Sequence, residues 1–196
     1  TEPFFGTGRI ADLVNSNGIF HVTSAGNIGN KAHQGVFNPT SETPPTNFLD
    51  DTGPTVAHDF DPGPDVDYLQ KISVVPGTYL IVLQWKELLA SQNNEEGAEE
   101  DLDIYIVDDL GRLLIGSNRV NVKGDPTEVI AFRATGTGEA NIMITSAKGS
   151  TSVPFRYVAF RTSAEDGTPD GLKIVDFFGD GAPTVVGHAM NTGTVT

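Results

Sequence analysis

The sequence predicts a mainly β protein, a β-sandwich or jelly roll inserted between short α/β fragments. Three observations lead there. Seven or eight short strand-like segments separated by Pro, Gly and Asp turns fill roughly residues 55–162, with no helical period among them. Before them lies a helix-then-strand pattern, closed by small residues at about residue 27. After residue 162 the alternating rhythm stops, and two apolar segments return to the pattern of the first residues. The expected organisation is therefore an α/β fragment at 1–27, a linker at 28–54, the sandwich at 55–162 and a return into α/β structure at 163–196.

Each element has a local reason. Ile10, Leu13 and Val14 stand at the i, i+3, i+4 spacing of a short amphipathic helix, and Asn17-Gly18 stops it. Ile19 to Thr23 reads as a strand, broken by Ser24-Ala25-Gly26-Asn27. Residues 28–54 keep no period and hold Pro39, Pro44, Pro45 and Pro54, so they are expected to run along a surface. Val56 to Phe60 alternates, and Tyr68 to Val75 follows. Pro76-Gly77 then turns the chain into Tyr79, Ile81, Leu83 and Trp85, which share one face at a period of two. Leu102, Ile104 and Ile106 alternate with Asp103 and Tyr105, and Asp109-Leu110-Gly111 turns into Leu113-Leu114-Ile115. Further strands fit Glu128 to Arg133, Ala140 to Thr145 and Phe155 to Arg161.

Charge and composition narrow the function. Twelve Lys and Arg stand against 26 Asp and Glu, a formal charge of −14. Such a surface repels phosphate, which excludes nucleic acid and anionic membranes as expected partners. No Cys is present, so disulfides, thiolate metal sites and cysteine nucleophiles are excluded. No apolar run reaches the roughly 18–20 residues of a membrane span, and no signal peptide is visible. Thr1 opens the chain without Met, and Thr196 ends it within an apolar pattern, so a piece of a larger polypeptide is expected. A monomer is expected.

Gly18 to Asn27, GIFHVTSAGN, resembles the strand of subtilisin-like serine proteases (subtilases) that ends in a small-small-Gly-Asn turn. The resemblance implies that Asn27 is the oxyanion-hole donor of a parent enzyme. It also implies that Ser24, Ala25 and Gly26 form the substrate-binding edge walling the P1 pocket. Acyl transfer builds an oxyanion, and a fixed neutral donor stabilises it without ionising. Taken alone, Gly26-Asn27 fits a plain turn after a strand equally well.

Residues 55–162 resemble the pre-peptidase C-terminal β-sandwich modules of secreted bacterial peptidases. His58-Asp59-Phe60, Pro76-Gly77 before Tyr79 to Trp85, the run Asp101 to Asp108, and Asp125-Pro126-Thr127-Glu128 carry that likeness. Gly181 to Ala189 and Thr194-Val195-Thr196 look like the protease chain resuming. The resemblance spans nearly the whole chain, weakest across 28–54. It implies the central segment of a secreted or cell-envelope bacterial serine endopeptidase acting on protein or peptide substrates. Neither a His-Gly-Thr-His segment for the general base nor a Gly-Thr-Ser-Met segment for the nucleophile is present. The fragment alone is therefore expected to be inactive, because attack requires Ser and His in contact.

Other candidates are weaker. Asp51-Thr52-Gly53, followed by Pro54, reads as an ordinary turn, since a catalytic aspartate here would follow the oxyanion Asn instead of preceding it. Asp59, Asp61, Asp65 and Asp67 offer alternating carboxylates beside Pro62-Gly63-Pro64 and form a candidate Ca²⁺ site, but the EF-hand spacing is absent. Eight further acids between Glu95 and Asp109 read equally well as a solvated loop. No other cofactor is expected. His21, His33, His58 and His188 show no zinc spacing, and His58 is expected as a hydrogen-bonded core or turn residue. Tyr79 and Trp85 are expected in the core. The alternative to a protease segment is a non-catalytic carbohydrate- or protein-binding jelly-roll module.

Overall fold

In a computed structural model of the chain, the described residues are 3–6, 8–18, 21–22, 29–41, 56–92, 96–148, 151–164, 171–178 and 194–195. They form one α-helix, α1 (Arg9–Ser16), a short 3-10 helix at Ala90–Gln92, and twelve strands. These are β1 (His21–Val22), β2 (Ala32–Val36), β3 (Val56–Ala57), β4 (Gln70–Val74), β5 (Gly77–Trp85) and β6 (Leu102–Val107). They continue with β7 (Leu113–Ser117), β8 (Thr127–Ala134), β9 (Gly138–Ser146), β10 (Pro154–Ala164), β11 (Lys173–Ile174) and β12 (Thr194–Val195).

Two antiparallel sheets face each other. One has the order β2-β10-β5-β8, and the other β11-β4-β9-β6-β7 with β3 added beside β9. The fold is thus a mainly β sandwich. Tyr79, Ile81, Leu83 and Trp85 from β5 meet Ile72, Leu102, Ile104, Ile142 and Ile144 from the second sheet, and all are buried. A period of two along each strand sends one set of side chains into this layer. Pro76, which lacks an amide proton, carries the chain from β4 in one sheet to β5 in the other. The corner is tied by Tyr79 Oη–H donating to the Val75 carbonyl at 2.6 Å and by Arg161 donating to the Pro76 carbonyl at 2.5 Å. Asp108 caps the β6–β7 hairpin, accepting from Leu110 N and Arg112 N while pairing with the Arg112 guanidinium at 2.6 Å. Gly111 supplies the positive φ of 71° that this turn needs.

The outer faces are covered as well. Phe4 packs with Ala32, Val82 and Val158 against the four-stranded sheet, and its amide donates to Gln84 Oε1 at 2.7 Å. Ala57, Tyr105, Val107 and Met143 form a small cluster on the outer face of the other sheet, with Tyr68 and Leu69 against it.

The sandwich draws on more of the chain than residues 55–162. Residues 32–36, expected within a linker, form β2, an edge strand paired antiparallel with β10 from Val36↔Pro154 to Ala32↔Val158. Leu172 and Ile174, expected beyond the sandwich, are buried in its core, and β11 pairs with β4. Helix α1 ends as expected, with Asn17 at its C-cap and Gly18 at φ 64°. Its buried face, however, is Ala11 and Val14, while Leu13 is 60% exposed.

Apart from these antiparallel ladders stands a parallel pair. β1 and β12 run side by side with His21 opposite Thr194 and Val22 opposite Val195.

Candidate functional site

Ser24, Ala25, Gly26 and Asn27 lie outside the described residues, as do Asp51-Thr52-Gly53 and His188. β1, which precedes these residues in the sequence, is described, together with its parallel partner β12.

Three of the four candidate carboxylates, those of Asp59, Asp61 and Asp67, accept from amides of their own loop. Asp59 Oδ1 accepts from Asp61 N at 3.1 Å and from Asp67 N at 3.0 Å. Asp61 Oδ1 accepts from Gly63 N at 2.6 Å, and Asp67 Oδ1 from Leu69 N at 2.8 Å. Short acidic side chains commonly satisfy turn amides in this way. Among the described residues no group of three or more His, Asp or Glu is arranged to hold a metal ion.

The acidic run from 96 to 109 divides into two environments. Glu96 and Asp109 are exposed, whereas Asp101 and Asp103 are buried. Asp101 Oδ1 accepts from Asn121 N at 2.9 Å. Asp103 projects to the covered outer face of β6, where Tyr105 Oη lies 3.3 Å and Thr145 Oγ1 3.5 Å from its Oδ2. Burial, then the nearby Asp101 and Glu128, push its carboxyl up to about 8, so it is protonated at neutral pH. Glu128 is also buried and raised by desolvation, with hydrogen bonds from Ser117 and the Arg119 charge acting in the opposite direction.

Two histidines far apart in sequence meet between the sheets. His33 on β2 and His58 just after β3 have ring centroids 6.5 Å apart. Phe60 and Phe155 contact both rings, Phe37 that of His58, and Tyr157 that of His33. His58 Nδ1 accepts from the Asn38 amide at 2.9 Å, which leaves its proton on Nε2. His33 Nδ1 lies 3.1 Å from both Gln70 Nε2 and the Phe177 carbonyl. Gln70 Nε2 also donates to that carbonyl at 3.0 Å, and Tyr157 Oη–H donates to Gln70 Oε1. Burial lowers His33 to about 4. Burial and then the facing His33 lower His58 to about 3, so both rings are neutral near pH 7. The spacing of these histidines in sequence carries no sign of their meeting. The usable signal was a His, a Gln and a Tyr at inward registers among aromatic residues.

One end of the sandwich is open. Ile72, Val74, Ile106, Ile115 and Phe132 line an apolar cleft of about 490 Å³ there, with Glu139 on its wall. The Glu139 carboxylate lies 3.9 Å from Lys71 Nζ. Trp85 and Tyr79, by contrast, are fully in the core.

The fold defines an antiparallel two-sheet β-sandwich with an appended parallel strand pair. No protein-family model matches the chain, and no curated protein matches it. Among solved structures it is similar to part of a β-glucosidase from Kluyveromyces marxianus in complex with glucose. The sequences are 12% identical, the match covers 69% of this chain and 17% of that one, and the TM-score is 0.30. At that score the likeness bears on neither fold nor activity.

Proposed function

We propose that this chain is the central segment of a secreted subtilisin-like serine endopeptidase. In this reading the sandwich is an accessory unit for stability or substrate docking, and Asn27 donates to the oxyanion of the parent enzyme. The observation that carries the reading is the parallel pairing of β1 with β12. Strands whose paired residues are 173 positions apart run in the same direction, side by side, while the sandwich between them is built of antiparallel ladders. Parallel strands occur in sheets covered on both faces, joined by crossover connections. A ladder of two residues does not stand alone in water and implies a larger sheet to extend. The exposure of Val22, at 72%, and of Leu13 on α1 fits surfaces that such a catalytic domain would cover.

In this reading Ser24–Asn27, which follow β1 in the sequence, would set the donor at the carboxyl end of a parallel strand. Loops at that end of α/β sheets are where sites are built. A backbone-anchored amide there stabilises developing negative charge without a proton of its own to lose. The triad His and Ser would come from the parent chain outside this segment, so the isolated chain would leave peptides intact.

The test is Asn27→Ala in the complete enzyme. Loss of one oxyanion donor lowers kcat by about 10²–10³ while KM changes little. An unchanged kcat, with the triad serine still essential, overturns the assignment. A carbohydrate-binding jelly roll has no comparable support, because Trp85 and Tyr79 are both in the core.

A further inference from the structure

We propose that the His33–His58 pair is an acid-operated latch: while both rings are neutral it holds the strap of residues 172–178 and the edge at Phe37-Asn38 on the sandwich, and on protonation it releases them. The inference stands independently of the protease reading.

The strap is tied down at several points. Ile174 N donates to the Asn30 carbonyl at 2.9 Å and Val175 N to the Lys71 carbonyl at 2.8 Å. Lys71 N donates to Asp176 Oδ1 at 2.7 Å. Phe177, at φ 46°, holds a left-handed conformation that a bulky L residue adopts only under constraint. Its carbonyl is the acceptor shared by Gln70 and His33, so the strained residue is kept in place by the polar cluster.

The second proton of a charged ring meets no acceptor among the described residues of that cluster. On His58 the Nδ1 lone pair is filled by the Asn38 N–H, and a proton there would set donor against donor at 2.9 Å. On His33 the Nδ1 proton already goes to the Phe177 carbonyl at 3.1 Å, so charging the ring adds its second proton at Nε2, on a ring enclosed by Phe60, Phe155 and Tyr157. Two charged rings 6.5 Å apart would also repel within an aromatic enclosure. The titratable neighbours do not offset this. From β10 comes Tyr157, whose hydroxyl burial and Asp176 hold above its ordinary range, so it stays protonated. From the strap comes Asp176, raised by burial and engaged by Lys71 N, with Asp67 near it on the preceding loop. Among the described residues no carboxylate bonds either imidazole.

The size of the effect follows by linkage. A ring that takes its proton at 6.5 when released and near 4 or 3 when seated favours release about 30-fold at pH 5, on the order of 10³ for the two together.

Hydrogen exchange of the whole chain at pH 7.5 and pH 5.0, corrected for intrinsic rates, tests this. Exchange at 171–178 and 32–38 is expected to rise at least tenfold at the lower pH, while the β5–β8 ladder around Ile81 and Ile130 keeps its protection. In His33→Asn/His58→Asn, whose amides can donate to the Phe177 carbonyl and accept from Asn38 N but cannot be protonated, the difference should disappear. A uniform rise along the chain, no rise at all, or a double variant that keeps the response overturns the proposal. Should the variant fail to fold, NMR of the His Cε1–H signals in the natural chain decides. Rings that stay neutral in the closed form down to pH 5 support the latch, and rings that titrate near 6.5 without local opening overturn it.

Discussion

Replacing Asp103 by Asn is expected to stabilise the fold at neutral pH, and the gain should depend on pH in a way only this carboxyl dictates. Asp103 is 6% exposed and has Asp101 and Glu128 as its charged neighbours. Its carboxyl rises from an ordinary 3.8 to about 8 in the folded chain. The folded state therefore holds a proton that the unfolded chain gives up above pH 3.8, and stability falls as pH rises from 3.8 to 8. Each pH unit in that window costs about 1.4 kcal/mol, or some 4 kcal/mol by pH 7. Water entry and local relaxation around the site reduce the realised gain of the variant to about 2–4 kcal/mol. Asn has nearly the same shape, accepts from Tyr105 Oη–H and Thr145 Oγ1–H, and carries no charge to desolvate. Urea unfolding of both proteins, followed at several pH values, measures the difference. The stability advantage of Asp103→Asn should grow by about 1.4 kcal/mol per pH unit between pH 5 and 7 and level off above pH 8. An advantage that stays flat with pH, or a variant less stable at pH 8, would show that the folded carboxyl is ionised and the reasoning wrong.

Two further substitutions probe the packing around the same sheets. Gly116 on β7 lies under the Tyr105 ring, and a methyl group there would overlap it. Gly116→Ala should cost about 1–3 kcal/mol in thermal or urea unfolding, and Tyr105→Ala in the same chain should remove most of that difference. Glu87 accepts from Trp85 Nε1 at 2.9 Å and from the amides of Glu99 at 3.1 Å and Glu100 at 3.0 Å. Glu87→Ala should cost about 1–3 kcal/mol. Because Trp85 is the chain's single Trp, its emission should shift to the red and become more open to quenching. Unchanged fluorescence would mean that the carboxylate does not seat the indole.

How far the fold could be read in advance depended on what each strand's second face meets. Tyr79, Ile81, Leu83 and Trp85 alternate cleanly because β5 lies inside its sheet and its inner face packs on the main apolar core. In β2 the inward positions are His33 and Gly35, a polar and a small residue facing the aromatic enclosure, so the strand carries no apolar alternation. Leu172 and Ile174 offer too short an apolar stretch to signal their place in the core. Asp103 misleads for a related reason. Alternation with Leu102 and Ile104 suggests a solvated face, yet β3 and residues 68–69 cover that face, and nothing local in the run Asp101 to Asp108 announces the cover.

The candidate sites differ in the same physical sense. The reading of Asn27 as a donor, at a position outside the described residues, was legible only as a pattern of neighbouring small residues, Ser24-Ala25-Gly26. The histidine cluster was not, because its parts come from β2, β4, β10, the segment after β3 and the strap, and only the closing of the two sheets makes them neighbours. The second kind of site is conditional on the fold in a way the first is not. A turn keeps its shape by local geometry, whereas a cluster assembled across both sheets lasts only while those sheets stay closed. That is why a perturbation of the cluster, and of the cluster alone, is expected to reach the strap that leaves the sandwich while sparing the centre of the β5–β8 ladder.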